Sequence, residues 1–290
     1  MQVTRLNHEA IITPAMDPRI GGNINGPSLI RVPDWIANPL GRYYLYFAHH
    51  DGHFIRLAYA DRVAGPWRIH APGTLDLSQS GFAGHIASPD VIVDAERREL
   101  RMYFHGSEAD TSQNVPQHTR VAVSADGLHF KTVSDNLGPP YFRVFRFDAA
   151  WHALAMPGHL FRSRDGFTDF EPVGSLATPA MRHAAVAVRG TMLHIVYTNV
   201  GDCPERLLAA ELDLTRPFAD GQAVEAADLL APEHRYEGVD CPSIPSVRGI
   251  ARERKFELRD PAIYVGDEGN FLLYAVAGEA GIALARIDRW

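Results

Sequence analysis

GHIASPDVIVDAERRELRMYFHGSEADTSQNVPQHTRVAVSADGLHFKTV, Gly84 to Val133, is the stretch that decides the fold. Four short runs rich in β-branched and aromatic residues lie inside it: SPDVIVD, ELRMYFH, HTRVAVS and LHFKTV. Ala95 to Arg98 separates the first two, and Ala125 to Gly127 separates the last two. A four-stranded antiparallel meander of this length is one blade of a β-propeller. An acid, Asp90, stands where the first strand begins. If the unit repeats around an axis, that end of the strand points at a shared centre.

Working outward, the pattern recurs. Pro27 to His70 holds PSLIRVP, RYYLYFA, FIRLAYA and WRIH. A third unit runs from about Pro140 to Val173, and a fourth from about Arg182 to Glu225, ending in a weaker QAVE. Ala226 to Glu257 is a Pro-rich insertion without strand or helix periodicity; loops of this length are usually functional or disordered. The last unit starts at Arg259 and has three strands, RDPAIYV, NFLLYAV and GIALARID, with no fourth. Near the N-terminus, His8 to Thr13 (HEAIIT) reads as a lone strand without a partner. Giving it to the last unit removes two open edges at once. The period of about 40–50 residues suits a propeller. The expected fold is therefore all-β: one domain over residues 1–290, a five-bladed β-propeller whose N-terminal strand closes the last blade. A β-sandwich leaves the missing C-terminal strand unexplained.

The 290 residues suffice for a large core, and 46% hydrophobic with 22% charged residues is ordinary for a globular protein. A net charge of -7 argues against nucleic acid or an anionic membrane as partner. No apolar run has the length of a signal peptide or a membrane span, so a cytoplasmic location is expected. Cys203 and Cys241 read as reduced thiols, with a bridge between them left open.

In a propeller the first strands line a central channel. One face collects their starts together with the loops between second and third strands. Asp90 and Asp260 are the two best acids there. Both adjoin a proline, in Ser88-Pro89-Asp90 and Arg259-Asp260-Pro261, which points to equivalent places in two repeats. Arg259 is expected to keep Asp260 ionised. His183 follows Arg182 at a strand start, and Tyr141 and His105 fall on the same face. Glu237 lies in the insertion, which is long enough to fold over the channel mouth and deliver an acid. Arg56, Arg182 and Arg259 are candidate donors to a hydroxyl-rich or acidic ligand. No phosphate-cradling glycine loop, HExxH, zinc cysteine cluster or GxSxG elbow occurs, so the residues give no reason to expect a metal or cofactor.

With Ser88-Pro89-Asp90 before its strand, Leu100 to Gly106 (LRMYFHG), Ala64 to Trp67 (AGPW) and the Ser-x-Asp-Gly hairpins in this order, the chain resembles the five-bladed glycoside hydrolases. These are the arabinanase and β-xylosidase type (family 43) and the related neoagarooligosaccharide-hydrolase type. The resemblance implies a carbohydrate substrate and an inverting hydrolysis of a small oligosaccharide at channel carboxylates. It implies that Asp90 is the acid that tunes the proton donor, and it allows His183 as that donor and a calcium ion in the channel. The family's base on the first blade and acid on the third have no counterpart: the chain reads Asn25-Gly26-Pro27-Ser28 and Pro139-Pro140-Tyr141 there. Two alternatives follow: a propeller that binds carbohydrate without cleaving it, and a glycoside phosphorylase of related fold.

Overall fold

A computed structural model describes residues 1–109 and 115–290. Among these, the strands form five four-stranded antiparallel sheets around a central axis. Strand β1 is Gln2–Arg5. Blade 1 holds β2 Asn25–Arg31, β3 Tyr43–Ala48, β4 Phe54–Ala60 and β5 Arg68–Asp76. Blade 2 holds β6 Ile86–Asp94, β7 Glu99–Ser107, β8 Gln117–Ser124 and β9 Lys131–Thr132. Blade 3 holds β10 Arg143–Phe147, β11 Ala150–Ala155, β12 His159–Ser163 and β13 Glu171–Ser175. Blade 4 holds β14 Met181–Arg189, β15 Met192–Asn199, β16 Leu207–Asp213 and β17 Ala227–Leu230. Blade 5 holds β18 Arg259–Gly266, β19 Gly269–Ala275 and β20 Ile282–Arg289, with β1 as its fourth strand. The five-bladed propeller and its closure by an N-terminal strand are as the sequence implies.

Two element assignments need correction. The closing strand is Gln2–Arg5, paired with β20, and not His8 to Thr13. That later segment only touches β20, through an Ile12–Ile282 bridge, because the chain has already turned across the top of the blade. In blade 4 the outer strand is Ala227–Leu230 and not QAVE. Gln222 instead bonds across to blade 3, donating its N–H to the Ser175 carbonyl and accepting at its own carbonyl from the Ala177 N–H.

The core is divided among the gaps between blades. Tyr44, Tyr46 and Leu57 meet Val91, Leu100 and Met102 between blades 1 and 2. Leu154 and Leu160 meet Leu193 and Ile195 between blades 3 and 4. Val196 and Leu207 meet Leu272 and Tyr274 between blades 4 and 5. Burial of this apolar area is the main force that holds the ring. The Ser-x-Asp-Gly hairpins latch it further: the Tyr46 hydroxyl donates to the Gly127 carbonyl at 2.9 Å, and that of Tyr103 to Gly166 at 2.9 Å.

Each inner strand except β10 carries a bulge at its start, and the bulges set the site. In blade 1 the pairing jumps from Asn25 to Ser28, in blade 2 from Ala87 to Asp90, in blade 4 from Met181 to Ala184, and in blade 5 from Arg259 to Ala262. A bulge bends its strand and re-aims the extra residues. Gly26, Ser88, Arg182 and Asp260 occupy the matching place at the mouth. Tyr141 joins them just before β10. Gly26, Ser88, Tyr141 and Asp260 all have positive φ, between 45° and 66°. Three of the four are not glycine, a strain that concentrates at functional sites.

Candidate active site

The bulge register corrects the pairing of the two acids. Asp260 occupies the mouth position of blade 5, matching Ser88 of blade 2, whereas Asp90 matches Ala262 and lies two residues farther along its strand. The prolines themselves carry this signal: Pro27, Pro89 and Pro261 are in register, and an acid before the proline differs from one after it.

Asp260 is 2% exposed. Its N–H donates to His183 Nδ1 at 3.3 Å, and its Oδ1 lies 3.4 Å from His183 Nε2. With Nδ1 accepting, the proton of a neutral His183 sits on Nε2, facing the carboxyl. Asp260 Oδ2 has no hydrogen-bond partner. Burial first, and then the Glu279 carboxylate, push Asp260 up to about 7, against the pull of Arg182, Arg259 and Arg143. Arg259 therefore does not hold Asp260 ionised, contrary to the sequence expectation. Burial beside Arg182 and Arg259 holds His183 well below the usual imidazole range.

The reason Arg259 fails in that role is that three glutamates claim it. It is fully buried, within 3.0 Å of Glu279 and 3.8 Å of Glu205, and in contact with Glu257. Arg182 reaches Glu205 at 3.2 Å. Burial would raise Glu279, but hydrogen bonds from His50 and Asn23 and the charge of Arg259 hold it at about 2. Burial wins at Glu205, which is raised despite both arginines. Two buried arginines are thus shared among three buried glutamates, and the carboxyl of Asp260 beside them is the one pushed up to about 7.

A pocket of about 260 Å³ opens above this cluster, lined by residues of blades 1 to 4 and of the insertion. Tyr141, His183, Arg182, Gln117 and His50 line it. The insertion forms its rim, because residues 246–249 lie across the mouth. Ser246 N donates to Asp202 O at 3.0 Å, Arg182 donates to the carbonyls of Val247 and Gly249 at 3.0 and 3.3 Å, and Arg259 donates to Gly249 O at 3.2 Å. Two of the candidate ligand-binding arginines are therefore braces of the strap. Arg56 is a brace too: it sits on β4 and bonds the carbonyls of Asn23 and Ala48, at 2.8 and 3.2 Å.

Below the mouth, the His105 ring lies 4.3 Å from Tyr141 and 5.9 Å from His85. Both rings are buried with orphaned nitrogens. Asp90 is one-fifth exposed; its Oδ2 accepts from Val144 N at 2.8 Å, and Arg143 lies 3.9 Å from its Oδ1. Burial raises Asp90, opposed by Arg143. Glu237 does not reach the mouth. Arg5 grips it at 2.8 and 3.0 Å, and the Tyr274 hydroxyl donates to it at 3.0 Å, so it fastens the insertion to β1. Sequence reading missed Arg143, Glu205 and Glu257; no local pattern marks a charge whose partners come from other blades.

Calcium takes six to eight oxygen ligands. The orphaned channel atoms of His85 and His105 are nitrogens, and among the described residues no group of three His, Cys, Asp or Glu is arranged to hold a metal. The described residues do not fit that ion. Cys203 and Cys241 are free thiols.

No protein-family model matches the chain. An uncharacterized protein of Acanthamoeba polyphaga mimivirus is 35% identical over 301 aligned positions, covering 92% of this chain and 84% of that protein. Among solved structures, the family-43 β-xylosidase/α-arabinofuranosidase CoXyl43 from a compost metagenome, in complex with xylotriose, superposes with a TM-score of 0.65 at 13% identity, covering 98% of this chain and 94% of that one. A family-43 enzyme of Xanthomonas citri complexed with xylotriose gives 0.64 at 14%, over 97% and 91%. An exo-1,5-α-L-arabinanase from a bovine ruminal metagenome gives 0.58 at 11%, over 97% and 94%. The chain belongs to the same family as the mimivirus protein, and its fold is the five-bladed propeller seen in family-43 glycoside hydrolases.

Proposed function

We propose that the chain is a glycoside hydrolase acting on a small oligosaccharide, with Asp260 as its proton donor and His183 as the residue that positions it. The observation that carries this reading is the Asp260 carboxyl: buried beneath the mouth pocket, unpartnered at Oδ2 and pushed up to about 7. A carboxyl protonated at neutral pH is what a general acid needs. His183 lines the pocket and engages Asp260 through both ring nitrogens, so it positions the carboxyl whose free Oδ2 gives the proton to a glycosidic oxygen. Water then attacks the anomeric carbon from the opposite face and loses its proton to solvent. Inversion is what the resemblance to the family-43 enzymes implies. Asp90 acts at a distance, by neutralising Arg143, whose charge bears on Asp260. Carbohydrate as ligand is supported by the xylotriose complexes of the structural neighbours.

A second reading, binding without cleavage, is favoured by Gly26. A β-carbon there would stand 2.8 Å from Ser88 Cα, so the first-blade acid that the resemblance implies has no room. The test is turnover of a panel of aryl glycosides and of xylo- and arabino-oligosaccharides, with and without phosphate. Hydrolysis by the wild type, lost in Asp260→Asn and His183→Ala, is the expected result. Binding of these sugars without turnover on any of them would sink the hydrolase reading and leave the second.

A further inference from the structure

We propose that the mouth pocket binds an oxyanion through Arg248, either the carboxylate of an acidic sugar or free phosphate; the identification of a sugar ligand rests on the hydrolase reading, the oxyanion site does not. The pocket wall carries two arginines, Arg182 and Arg248, with His50, His183, Gln117 and Tyr141, and among the described residues no carboxylate. The two arginines differ. Arg182 is buried and paired with Glu205 at 3.2 Å. Arg248 is exposed, and its side-chain hydrogen-bond contact among the described residues is the Met156 thioether, at 3.7 Å. Other arginines of the insertion are ion-paired: Arg235 and Arg254 with Asp240, and Arg252 with Asp51.

The placement of Arg248 is built. The carbonyls on either side of it, Val247 and Gly249, are the ones that Arg182 holds, and Arg259 holds Gly249 a second time. Two buried guanidinium groups therefore fix the backbone that presents a third, uncompensated one at the pocket. A guanidinium presents a planar fork of donors that matches carboxylate and phosphate oxygens in pairs. Asp260, held by His183, lies beneath the same pocket, so an oxyanion on Arg248 stands close to the reacting sugar. If phosphate is the oxyanion, one of its oxygens bonds the anomeric carbon as the bond to the leaving sugar breaks, and the leaving oxygen takes the Asp260 proton.

The test is calorimetric titration of the full chain with glucuronate, inorganic phosphate and neutral xylose, repeated on Arg248→Ala and Arg248→Lys. One of the two anions should bind the wild type, and Arg248→Ala should weaken it about 10- to 100-fold. Arg248→Lys should fall between, since it keeps the charge and loses the fork. Xylose should bind all three proteins alike. Glucuronate binding places the oxyanion on the sugar; phosphate binding with phosphate-dependent turnover makes it the second substrate. Failure of both anions to bind, or equal anion binding by wild type and Arg248→Ala, overturns the proposal. The titration does not read turnover, so a protein that cleaves nothing but binds an anion through Arg248 refutes the hydrolase reading alone. Arg248 is exposed and forms no ion pair among the described residues, so both variants should melt at the wild-type temperature.

Discussion

The inner strands of blades 1 and 5 begin with the same bulge, yet one mouth is shut and the other is charged. In blade 1 the mouth residue is Gly26, at φ 57°, packed so closely on Ser88 that a β-carbon would stand 2.8 Å from its Cα. In blade 5 it is Asp260, at φ 45°, whose carboxyl lies against His183 and keeps one oxygen unpartnered. The backbone is common to both; the difference lies in what each neighbouring blade leaves open. A propeller offers five similar places for a reacting group, and packing between blades decides which of them accepts one.

The largest effect that sharpens this contrast is expected from Asp260→Asn. Turnover should drop by about 10²- to 10⁴-fold if Asp260 is the proton source. In the wild type, kcat/KM should decline as pH rises through about 7, where Asp260 loses its proton. Stability gives an independent reading. Because the folded pKa lies above the unfolded 3.8, the folded chain binds this proton more tightly. Stability should therefore fall as pH rises from 3.8 to about 7, by up to roughly 1.4 kcal/mol per unit, and level off above. Asp260→Asn should lack that decline, which melting curves between pH 4 and 8 would show.

Next comes Arg259→Met, which strips the shared cation from Glu205, Glu257 and Glu279. Removing one partner of a buried ion pair costs about 3–5 kcal/mol, and chemical denaturation should report a loss of that size. A wild-type midpoint would mean that these glutamates are already neutral. Gly26→Asp then asks whether the shut mouth can be opened. It should destabilise by about 1–3 kcal/mol, from positive φ and contact with Ser88, and add no turnover. A gain of activity would break the comparison. The smallest effect is expected from Asp90→Asn. It frees the charge of Arg143 to act on Asp260, so the alkaline limb of the pH–rate profile should move down by a fraction of a unit; an upward shift would contradict the tuning role.

Much of this was legible in the sequence because blade pattern is local. Runs such as FIRLAYA and ELRMYFH are short, largely apolar and bounded by turns, and a blade needs little else. The order of acid and proline was also written there, in Ser88-Pro89-Asp90 against Arg259-Asp260-Pro261, although only the bulge register turns it into a two-residue offset. The charge cluster was not legible. Glu205 comes from the loop before β16, Glu257 from the end of the insertion, and Glu279 from the loop before β20; nothing but closure of the ring brings them to Arg259. The strap hid its role for the same reason: its backbone is held by side chains of β14 and β18, so its own composition says nothing of where it lies.

One last consequence follows from the pairing of Gln2 with Arg289. Blade 5 carries Asp260, and its outer strand is the first strand of the chain while the rest of the blade is the last. During synthesis β1 must wait, unpaired, until β20 has been made, so the sheet bearing the proposed proton donor is completed only after the other four blades have been made. Contacts this distant along the chain close slowly. The same neighbouring ends suit circular permutation: joining the termini and cutting at the exposed Gly190 turn between β14 and β15 would turn that closure into an ordinary connection and let the blade assemble from adjacent residues.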